Sequence, residues 1–306
     1  SLSDDLATQL LAQYGEAEAD RIAAGLDHPA PLTLRVNRLQ TTREALAAEL
    51  RDAGVEVRKG ELAADSLFVD GEVELFRSTL FTHGRFELQD EGSQLIGEIV
   101  APPPGGHIVD FCAGAGGKSL HLAALLRGRG RVLALDLPSA ASKLAELRRR
   151  ARRAGAQNVS AAALDPKSPI PPALAGWVGK SSRVLVDAPC SGVGSLRRNP
   201  EARLRIDRAM LDRLPAQQLE ILERACAWVA PGGRLVYSTC TLLRDENDEV
   251  VDRFLVTHPE FSPVPLKEVI GRAEALRIGD GERLRLYPHL HGTDGFFAAI
   301  LRRAAR

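Results

Sequence analysis

Two cysteines each follow directly on the pattern of a buried β-strand. Cys190 ends the run Val-Leu-Val-Asp-Ala-Pro-Cys (184–190), and Cys240 ends the run Leu-Val-Tyr-Ser-Thr-Cys (235–240). In an open parallel sheet, the carboxyl ends of neighbouring strands meet at the edge where ligands bind. A lone cysteine is most often a core residue, but these two are flanked by Ser, Gly and Thr. Together with Asp187, the two thiols therefore predict covalent chemistry at this edge.

One reaction that requires two such thiols is methylation of carbon 5 of a cytosine in RNA. A thiolate that adds to carbon 6 makes carbon 5 nucleophilic, and a nearby acid stabilises the charge that develops on the ring. A base must then remove the proton from carbon 5 before the thiol can leave. Cys240, Cys190 and Asp187 are the candidates for these roles, and the residue types do not decide which thiol attacks. Lys118 is a candidate for an activating positive charge, because only about 3% of an unperturbed thiol is ionised at pH 7.

A glycine-rich loop joins an earlier strand pattern to a helix. It consists of Cys112, Ala113, Gly114, Ala115, Gly116, Gly117 and Lys118. Such a loop lets a ligand approach the backbone and the amino terminus of the helix. A P-loop would require glycine at the position of Cys112, and the dinucleotide pattern fails at Ser119. S-adenosylmethionine requires only close backbone approach and an acid after the next strand. Asp136 supplies that acid, so the loop predicts S-adenosylmethionine as the cofactor.

Strand and helix patterns alternate from residue 107 onward. Predicted strands cover residues 107–111, 131–136, 159–164, 183–187, 234–239 and 296–301, and predicted helices cover 118–126, 139–154 and a longer stretch ending near Val229. This alternation predicts an α/β fold with a Rossmann-like, doubly wound and mostly parallel sheet. The earlier part of the chain predicts a small α+β, RRM-like unit. We therefore expect an RNA-binding domain with an N-terminal helix at residues 1–88, and a methyltransferase catalytic domain at residues 89–306.

The composition disfavours several other classes of protein. The 306 residues include 40 basic and 40 acidic side chains, so the formal net charge is zero. No run approaches the roughly 20 apolar residues of a membrane span, and the first residues lack the pattern of a signal peptide. The four cysteines have no paired spacing, which disfavours a disulfide framework or a zinc site. We expect a monomeric, cytoplasmic protein without a metal ion.

Arginines occur in two clusters, although the chain as a whole is neutral. For the first cluster we expect a solvated helix face; its members are Arg148, Arg149, Arg150, Arg152 and Arg153. The second cluster comprises Arg197, Arg198, Arg203, Arg205 and Arg208. Because it follows the Cys190 loop, we expect it to contact RNA phosphates, with Arg197 and Arg198 as the candidate RNA-binding residues.

Several longer motifs resemble one enzyme family. They are Asp-Ala-Pro-Cys-Ser-Gly (187–192) with Leu-Arg-Arg-Asn-Pro (196–200), Tyr-Ser-Thr-Cys-Thr (237–241) with Glu246 and Asn247, and Gly-Arg-Phe-Glu-Leu-Gln-Asp-Glu-Gly-Ser-Gln (84–94). With them the chain resembles the NOL/NOP/Sun-domain (Fmu-type) RNA cytosine-5 methyltransferases, and above all their bacterial ribosomal RNA members. The resemblance implies that Cys240 is the nucleophile and Cys190 the release cysteine. It also implies an S-adenosylmethionine site lined by residues 112–118, Asp136, Asp165 and Asp187.

Other functions remain open at this stage. A catalytically silent RNA-binding or ribosome-assembly protein would share the fold, although it would not need both thiols. A nucleotide-dependent oxidoreductase or ATPase would use the same kind of loop, but the incomplete glycine patterns disfavour it. The RNA substrate itself is expected to be ribosomal, with transfer RNA as the alternative.

Overall fold

A computed structural model describes residues 2–71 and 74–305 of the chain. The chain divides into two compact units. Unit 1 comprises Ser1–Ala30, Val186–Ala227 and Arg234–Arg306, and unit 2 comprises Pro31–Leu185 and Trp228–Gly233. The helices are α1 Asp4–Tyr14, α2 Glu16–Asp27, α3 Arg43–Asp52, α4 Thr79–Thr82, α5 Glu91–Val100, α6 Gly117–Leu125, α7 Ala141–Ala154, α8 Arg208–Cys226, α9 Asp248–Thr257, α10 Lys267–Ile270, α11 Arg272–Arg277 and α12 Pro288–His291. The strands are β1 Leu32–Val36, β2 Val57–Lys59, β3 Ser66–Val69, β4 Phe86–Leu88, β5 His107–Asp110, β6 Arg131–Asp136, β7 Val159–Ala163, β8 Ser181–Asp187, β9 Val229–Thr239, β10 Phe261–Pro263, β11 Leu284–Leu286 and β12 Phe296–Arg303.

The strands form two sheets. The smaller has the order β2-β3-β1-β4 and is antiparallel throughout. The larger has the order β10-β12-β9-β8-β5-β6-β7, with β11 paired to β12. Strand β5 pairs in parallel with β6 and β8, and β6 pairs in parallel with β7, whereas β12 is antiparallel to its partners. Parallel strands joined through helices make the doubly wound arrangement, so the predicted fold class is confirmed.

Most predicted elements differ from the observed ones by a residue or two at their ends, and β9 is the main exception. It begins at Val229 rather than at Arg234. The run Ala-Pro-Gly-Gly before Arg234 is typical of a turn, and Gly232 does adopt a positive φ of 73°. Strand β9 nevertheless includes this run.

Helices α1 and α2 belong to the core of unit 1. The cluster in which they pack contains Leu6, Leu10, Ile22, Leu26, Val193, Leu196, Ile206, Leu242 and Leu243. The Tyr14 hydroxyl also donates to the Leu242 carbonyl at 2.6 Å. These two helices therefore support the segments that follow both Cys190 and Cys240. The predicted domain boundary between residues 88 and 89 stays a prediction.

Within unit 2, helix α7 is joined to the small sheet by ion pairs. Arg150 and Arg153 both bind the Glu87 carboxylate on β4, and their side chains are only 17% and 21% exposed. The expected solvated face of α7 is therefore wrong for these two arginines. It holds for the exposed Arg148, Arg149 and Arg152. The difference arises because positions three apart on a helix share a face, and this face meets β4.

Glu98 on α5 contributes a pH-dependent part of the stability of unit 2. Its Oε1 accepts a hydrogen bond from the Ala64 N–H at 2.9 Å. Burial, reinforced by Asp65 and Glu91, raises its pKa from 4.5 to about 7. The folded state therefore retains this proton where the unfolded state loses it, and stability falls as pH rises from about 4.5 to about 7.

We expect the Glu98→Gln substitution to flatten this pH dependence, because glutamine keeps the acceptor for the Ala64 N–H and carries no charge. The free energy of unfolding should be nearly unchanged at pH 5 and should rise by about 2 kcal/mol at pH 8. Urea unfolding at the two pH values measures the difference, and the exposed Glu56→Gln substitution serves as control. The same effect at both pH values would contradict the assignment.

Candidate functional site

The two cysteines predicted to react contact each other within unit 1. Cys190 follows β8 and Cys240 follows β9, and their Sγ atoms are 3.4 Å apart. This contact is a thiol–thiol hydrogen bond, since a disulfide bond is about 2.05 Å long. The Gly194 N–H donates to the Cys240 carbonyl at 2.9 Å and so joins the two loops a second time. The structure therefore brings the two predicted thiols together.

Electrostatics distinguish the two thiols. The pKa of Cys190 is raised well above its ordinary value, first by the hydrogen bond with Cys240, then by burial and by the negative charges of Cys240 and Glu246. The raised pKa keeps Cys190 protonated, and either sulfur can donate in the contact between them. The thiol that ionises more readily is the one suited to act as a thiolate nucleophile. The role of Cys240 as nucleophile stays a prediction, and this asymmetry favours it.

A single buried carboxylate holds the two cysteine loops together. The Glu246 side chain is fully buried. Its oxygens accept hydrogen bonds from the N–H and hydroxyl of Ser191, which follows Cys190, and from the hydroxyl of Thr241, which follows Cys240. Because one carboxylate binds the residue after each cysteine, it fixes the spacing of the two thiols.

Gln218 on α8 completes this network, and it was not among the residues predicted from the sequence. Its Nε2 donates to Glu246 Oε2 at 2.7 Å and to the Pro189 carbonyl at 3.0 Å. Gln218 is fully buried on the same helical stripe as Leu214 and Leu222. A polar residue within an apolar stripe was the available signal, because a buried amide requires hydrogen-bond partners.

Asp187 lies on the same unit as the thiols, at the end of β8. Its Oδ1 accepts a hydrogen bond from the Ser238 hydroxyl at 3.0 Å, and the Ala188 N–H donates to the Ser238 carbonyl at 2.8 Å. The half-buried carboxyl is thus oriented from β9. Its proposed role as the acid in catalysis stays a prediction.

The two candidate RNA-binding arginines meet a shared carboxylate. Arg197 Nε donates to Asp294 Oδ1 at 2.6 Å and Arg198 Nε donates to Asp294 Oδ2 at 2.7 Å. The Arg197 side chain is 4% exposed and that of Arg198 is 29% exposed. Of the two, Arg198 therefore has more of its side chain available to a phosphate.

The glycine-rich loop of unit 2 lies between β5 and α6. Gly114 and Gly116 adopt positive φ angles of 54° and 85°, which side chains rarely allow. Asp136, at the end of β6, accepts from the Gly114 N–H and from the Leu137 N–H, each at 2.7 Å. The predicted acid and the predicted loop are thus in direct contact, and Asp136 orders the loop.

Two arginines outside the loop hold its carbonyl groups, and neither was predicted from the sequence to be functional. Arg35 on β1 donates to the Gly117 carbonyl at 2.6 Å, and Arg150 on α7 donates to the Ala115 carbonyl at 2.8 Å. Arg35 is 2% exposed, and burial lowers its pKa to about 10. Arg35 is the one charged residue of strand β1. A charged residue within such a strand was the signal in the sequence that could have identified it. Because the carbonyls are held from outside, the loop shape is set before any ligand arrives.

Three further residues of unit 2 were predicted to belong to the site, and their roles stay predictions. Asp165 accepts from the Lys167 N–H and the Ser168 hydroxyl, both at 2.9 Å, and so orders the turn after β7. Lys118 is the second residue of α6 and is half-buried, as is Cys112 before the first glycine of the loop.

Two features are absent from the residues that the structure describes. Within residues 2–71 and 74–305, no group of three or more His, Cys, Asp or Glu side chains is arranged to hold a metal ion. Over the same residues, no helix combines the length and apolarity that crossing a bilayer requires.

Comparisons with known proteins place these features in a family. Residues 98–302 match the family described as 16S rRNA methyltransferase RsmB/F, and residues 5–75 match the ferredoxin-like domain of RsmF/B-like methyltransferases. The probable ribosomal RNA small subunit methyltransferase B of Bacillus subtilis is 36% identical over 95% of this chain, which spans 64% of that relative. A 28S rRNA (cytosine-C(5))-methyltransferase of Mus musculus is 31% identical over 98% of this chain, which spans 38% of that relative.

One solved structure has the same fold over nearly the whole chain. It is the crystal structure of NSun6 from Pyrococcus horikoshii with SFG. The TM-score is 0.83 at 21% identity, and the match covers 99% of both chains.

Proposed function

Because the chain belongs to the 16S rRNA methyltransferase RsmB/F family, we propose that it methylates carbon 5 of a cytosine in small-subunit ribosomal RNA. The observation that carries the proposal is the 3.4 Å contact between Cys190 and Cys240, in which one thiol is held protonated beside the other. Cytosine-5 chemistry needs one thiol to attack and a second group to complete release. The mouse relative, named as a cytosine-C(5)-methyltransferase, supports the choice of carbon 5.

S-adenosylmethionine fits the glycine-rich loop of unit 2. A Cβ built on Gly114 or Gly117 would meet no other heavy atom within 4 Å, so open space adjoins the backbone there. The loop backbone and the start of α6 would hold the cofactor, with the Asp136 carboxylate on its ribose hydroxyls. When bound, the cofactor supplies a methyl group on a positively charged sulfur. SFG, the compound named with the NSun6 structure, is an analogue of S-adenosylmethionine.

The residues of unit 1 perform the covalent steps. The Cys240 thiolate attacks carbon 6 and forms the sulfur–carbon bond, while Asp187 acts as the acid and donates a hydrogen bond to ring nitrogen 3, where negative charge develops. Carbon 5 then takes the methyl group and must lose its proton. Cys190 first gives its own proton to solvent, and because its pKa is raised, the resulting thiolate is a strong base that then takes the carbon 5 proton. Removal of the proton restores the ring double bond, and the bond from Cys240 to carbon 6 breaks.

We assign RNA contacts to basic surfaces of both units. In unit 2, a depression of about 610 Å³ beside α3 is lined by three arginines, Arg38, Arg43 and Arg127, and by two acids, Glu44 and Asp65, so that its charged lining has one net positive charge. This position in the small α+β region supports the proposal that residues 1–88 bind RNA. In unit 1, Arg198 is the better candidate for a phosphate, and the buried Arg197 holds Asp294 in place. Local clusters of this kind suit a chain with zero net charge.

The proposed function is tested by methyl transfer to defined RNAs. The purified chain is incubated with methyl-labelled S-adenosylmethionine and a transcript of small-subunit ribosomal RNA, and the nucleosides are then identified by mass spectrometry. We expect 5-methylcytidine at one or a few positions. Methylation of transfer RNA alone would overturn the ribosomal assignment. RNA binding without methyl transfer to either RNA would identify the silent RNA-binding protein.

The cofactor site makes a separate prediction about Asp136. Loss of its carboxylate removes the ribose contact and frees the Gly114 N–H, so Asp136→Ala should weaken S-adenosylmethionine binding by about 1.5–3 kcal/mol. Isothermal calorimetry measures the change, and the exposed Asp70→Ala substitution is the control. Unchanged affinity in Asp136→Ala would show that the carboxylate only orders the start of the following segment.

A further inference from the structure

Leu204 is an apolar side chain held out into solvent. It is 91% exposed, more than any other large hydrophobic side chain among residues 2–71 and 74–305. It lies on the short 3₁₀ helix Pro200–Arg205 of unit 1. Single exposed apolar residues are common on protein surfaces. Exposure alone therefore does not indicate a binding role for Leu204. The contacts of the neighbouring residues decide whether its position is fixed.

The residues beside Leu204 are firmly attached to unit 1. Arg203 donates to the Leu26 carbonyl at 2.9 Å and pairs with Asp27 at 2.6 Å. Ile206 is 3% exposed within the unit 1 core, and Ala202 packs against the same core. A segment anchored on both sides presents Leu204 at a fixed position. Its exposure is a property of the fold.

The core that anchors Leu204 also carries both cysteine loops. Ile206 shares one hydrophobic cluster with Val193, just after Cys190, and with Leu242, just after Cys240. The exposed Arg205 next to Leu204 has no ion-pair partner within the described residues. Leu204 and Arg205 are thus both exposed and directly precede Ile206. Ile206 packs in the same hydrophobic cluster as the residues that follow the two thiols.

The proposed reaction requires that the target cytosine leave the base stack. A thiol must attack carbon 6 from the face of the cytosine ring, and stacked neighbours cover that face in structured RNA. Enzymes that modify bases therefore extrude the target from the stack. Proteins that open base stacks commonly insert an apolar side chain between the bases and neutralise the adjacent phosphates.

We propose that Leu204 is a wedge that enters the RNA stack in place of the target cytosine, while Arg205 contacts a neighbouring phosphate. The inference rests on the proposed function and deepens it. Leu204 contacts the bases that flank the target, and it holds open the gap that the extruded cytosine leaves. Its contribution should therefore depend on whether those flanking bases are present to stack.

The test compares two RNAs that contain the cytosine methylated by the wild-type chain in small-subunit ribosomal RNA. One is the natural sequence, and in the other both flanking nucleotides are abasic, so that nothing stacks on the target. Leu204→Ala should lower kcat/KM about tenfold to a hundredfold on the natural RNA. It should change kcat/KM less than about threefold on the abasic-flanked RNA, and Leu204→Met should restore most of the activity on the natural RNA.

Val256→Ala is the matched control, because Val256 is 83% exposed on α9 of the same unit and has no proposed contact with RNA. It should leave both rates unchanged. Equal losses on the two RNAs in Leu204→Ala, or no loss on either, would overturn the wedge while the proposed function stands. A wild-type chain that methylates no cytosine of small-subunit ribosomal RNA would overturn the proposed function, and the wedge with it.

Discussion

The Cys190→Ala variant accumulates bonded to its RNA, whereas the Cys240→Ala variant forms no bond to RNA and transfers no methyl group. This difference is expected because the raised pKa of Cys190 keeps it protonated beside the Cys240 sulfur, 3.4 Å away. Without Cys190, attack and one methyl transfer can proceed, but nothing assists removal of the carbon 5 proton. Without Cys240, no nucleophile reaches carbon 6. A denaturing gel with RNA and S-adenosylmethionine resolves the adduct as a slowly migrating band.

Cys226→Ala is the control for loss of a thiol. Cys226 ends α8, is buried, and donates to the Glu223 carbonyl at 3.0 Å, away from the thiol pair. We expect it to keep full activity and to show no adduct. The reverse pattern in the two test variants would exchange the roles of Cys190 and Cys240. Full activity and no adduct in both would make the pair structural.

The second large effect is expected at Glu246. A Glu246→Gln substitution exchanges one acceptor oxygen for an NH₂ group, which would face N–H or hydroxyl donors on either side of the carboxylate. We expect a loss of about 2–4 kcal/mol in the free energy of unfolding, because buried donors lose their acceptor. We also expect kcat to fall at least about tenfold, because the two thiols lose their fixed spacing. Urea unfolding and steady-state kinetics measure the two effects.

Glu249→Gln is the matched control, since Glu249 is exposed on the adjoining helix α9. Its effect on stability should stay within about 0.5 kcal/mol. Cofactor affinity should be unchanged in Glu246→Gln, because Glu246 makes none of the loop contacts described above. A Glu246→Gln variant with normal stability and normal kcat would contradict the claim that Glu246 fixes the spacing of the two thiols.

The parts of the fold that sequence predicted well are those that depend on local patterns. Strands β5, β6 and β8 contain apolar runs and end in Asp110, Asp136 and Asp187, and such runs indicate buried strands whose ends meet at one edge. The same patterns identified Cys190 and Cys240 as residues at strand ends. The glycine-rich loop was predictable because only glycine readily takes the positive φ angles observed at Gly114 and Gly116.

The parts that sequence did not predict depend on contacts between distant segments. The Glu246 carboxylate meets Gln218 and Ser191, which lie 28 and 55 residues away in the chain. Arg35 reaches the Gly117 carbonyl across 82 residues. Periodicity shows which face of a helix or strand is buried, but it does not show which buried polar groups will pair. The grouping of α1 and α2 with unit 1 was hidden for the same reason.

Tritium release from RNA labelled at carbon 5 of cytosine tests the central claim most directly. Methylation at carbon 5 must expel the hydrogen that carbon 5 carries, so each methyl group transferred should release one tritium to water. We expect release that requires S-adenosylmethionine, that matches methyl transfer in amount, and that is absent in Cys240→Ala. Methyl transfer to this RNA without tritium release would place the methyl group on another atom and would contradict the account.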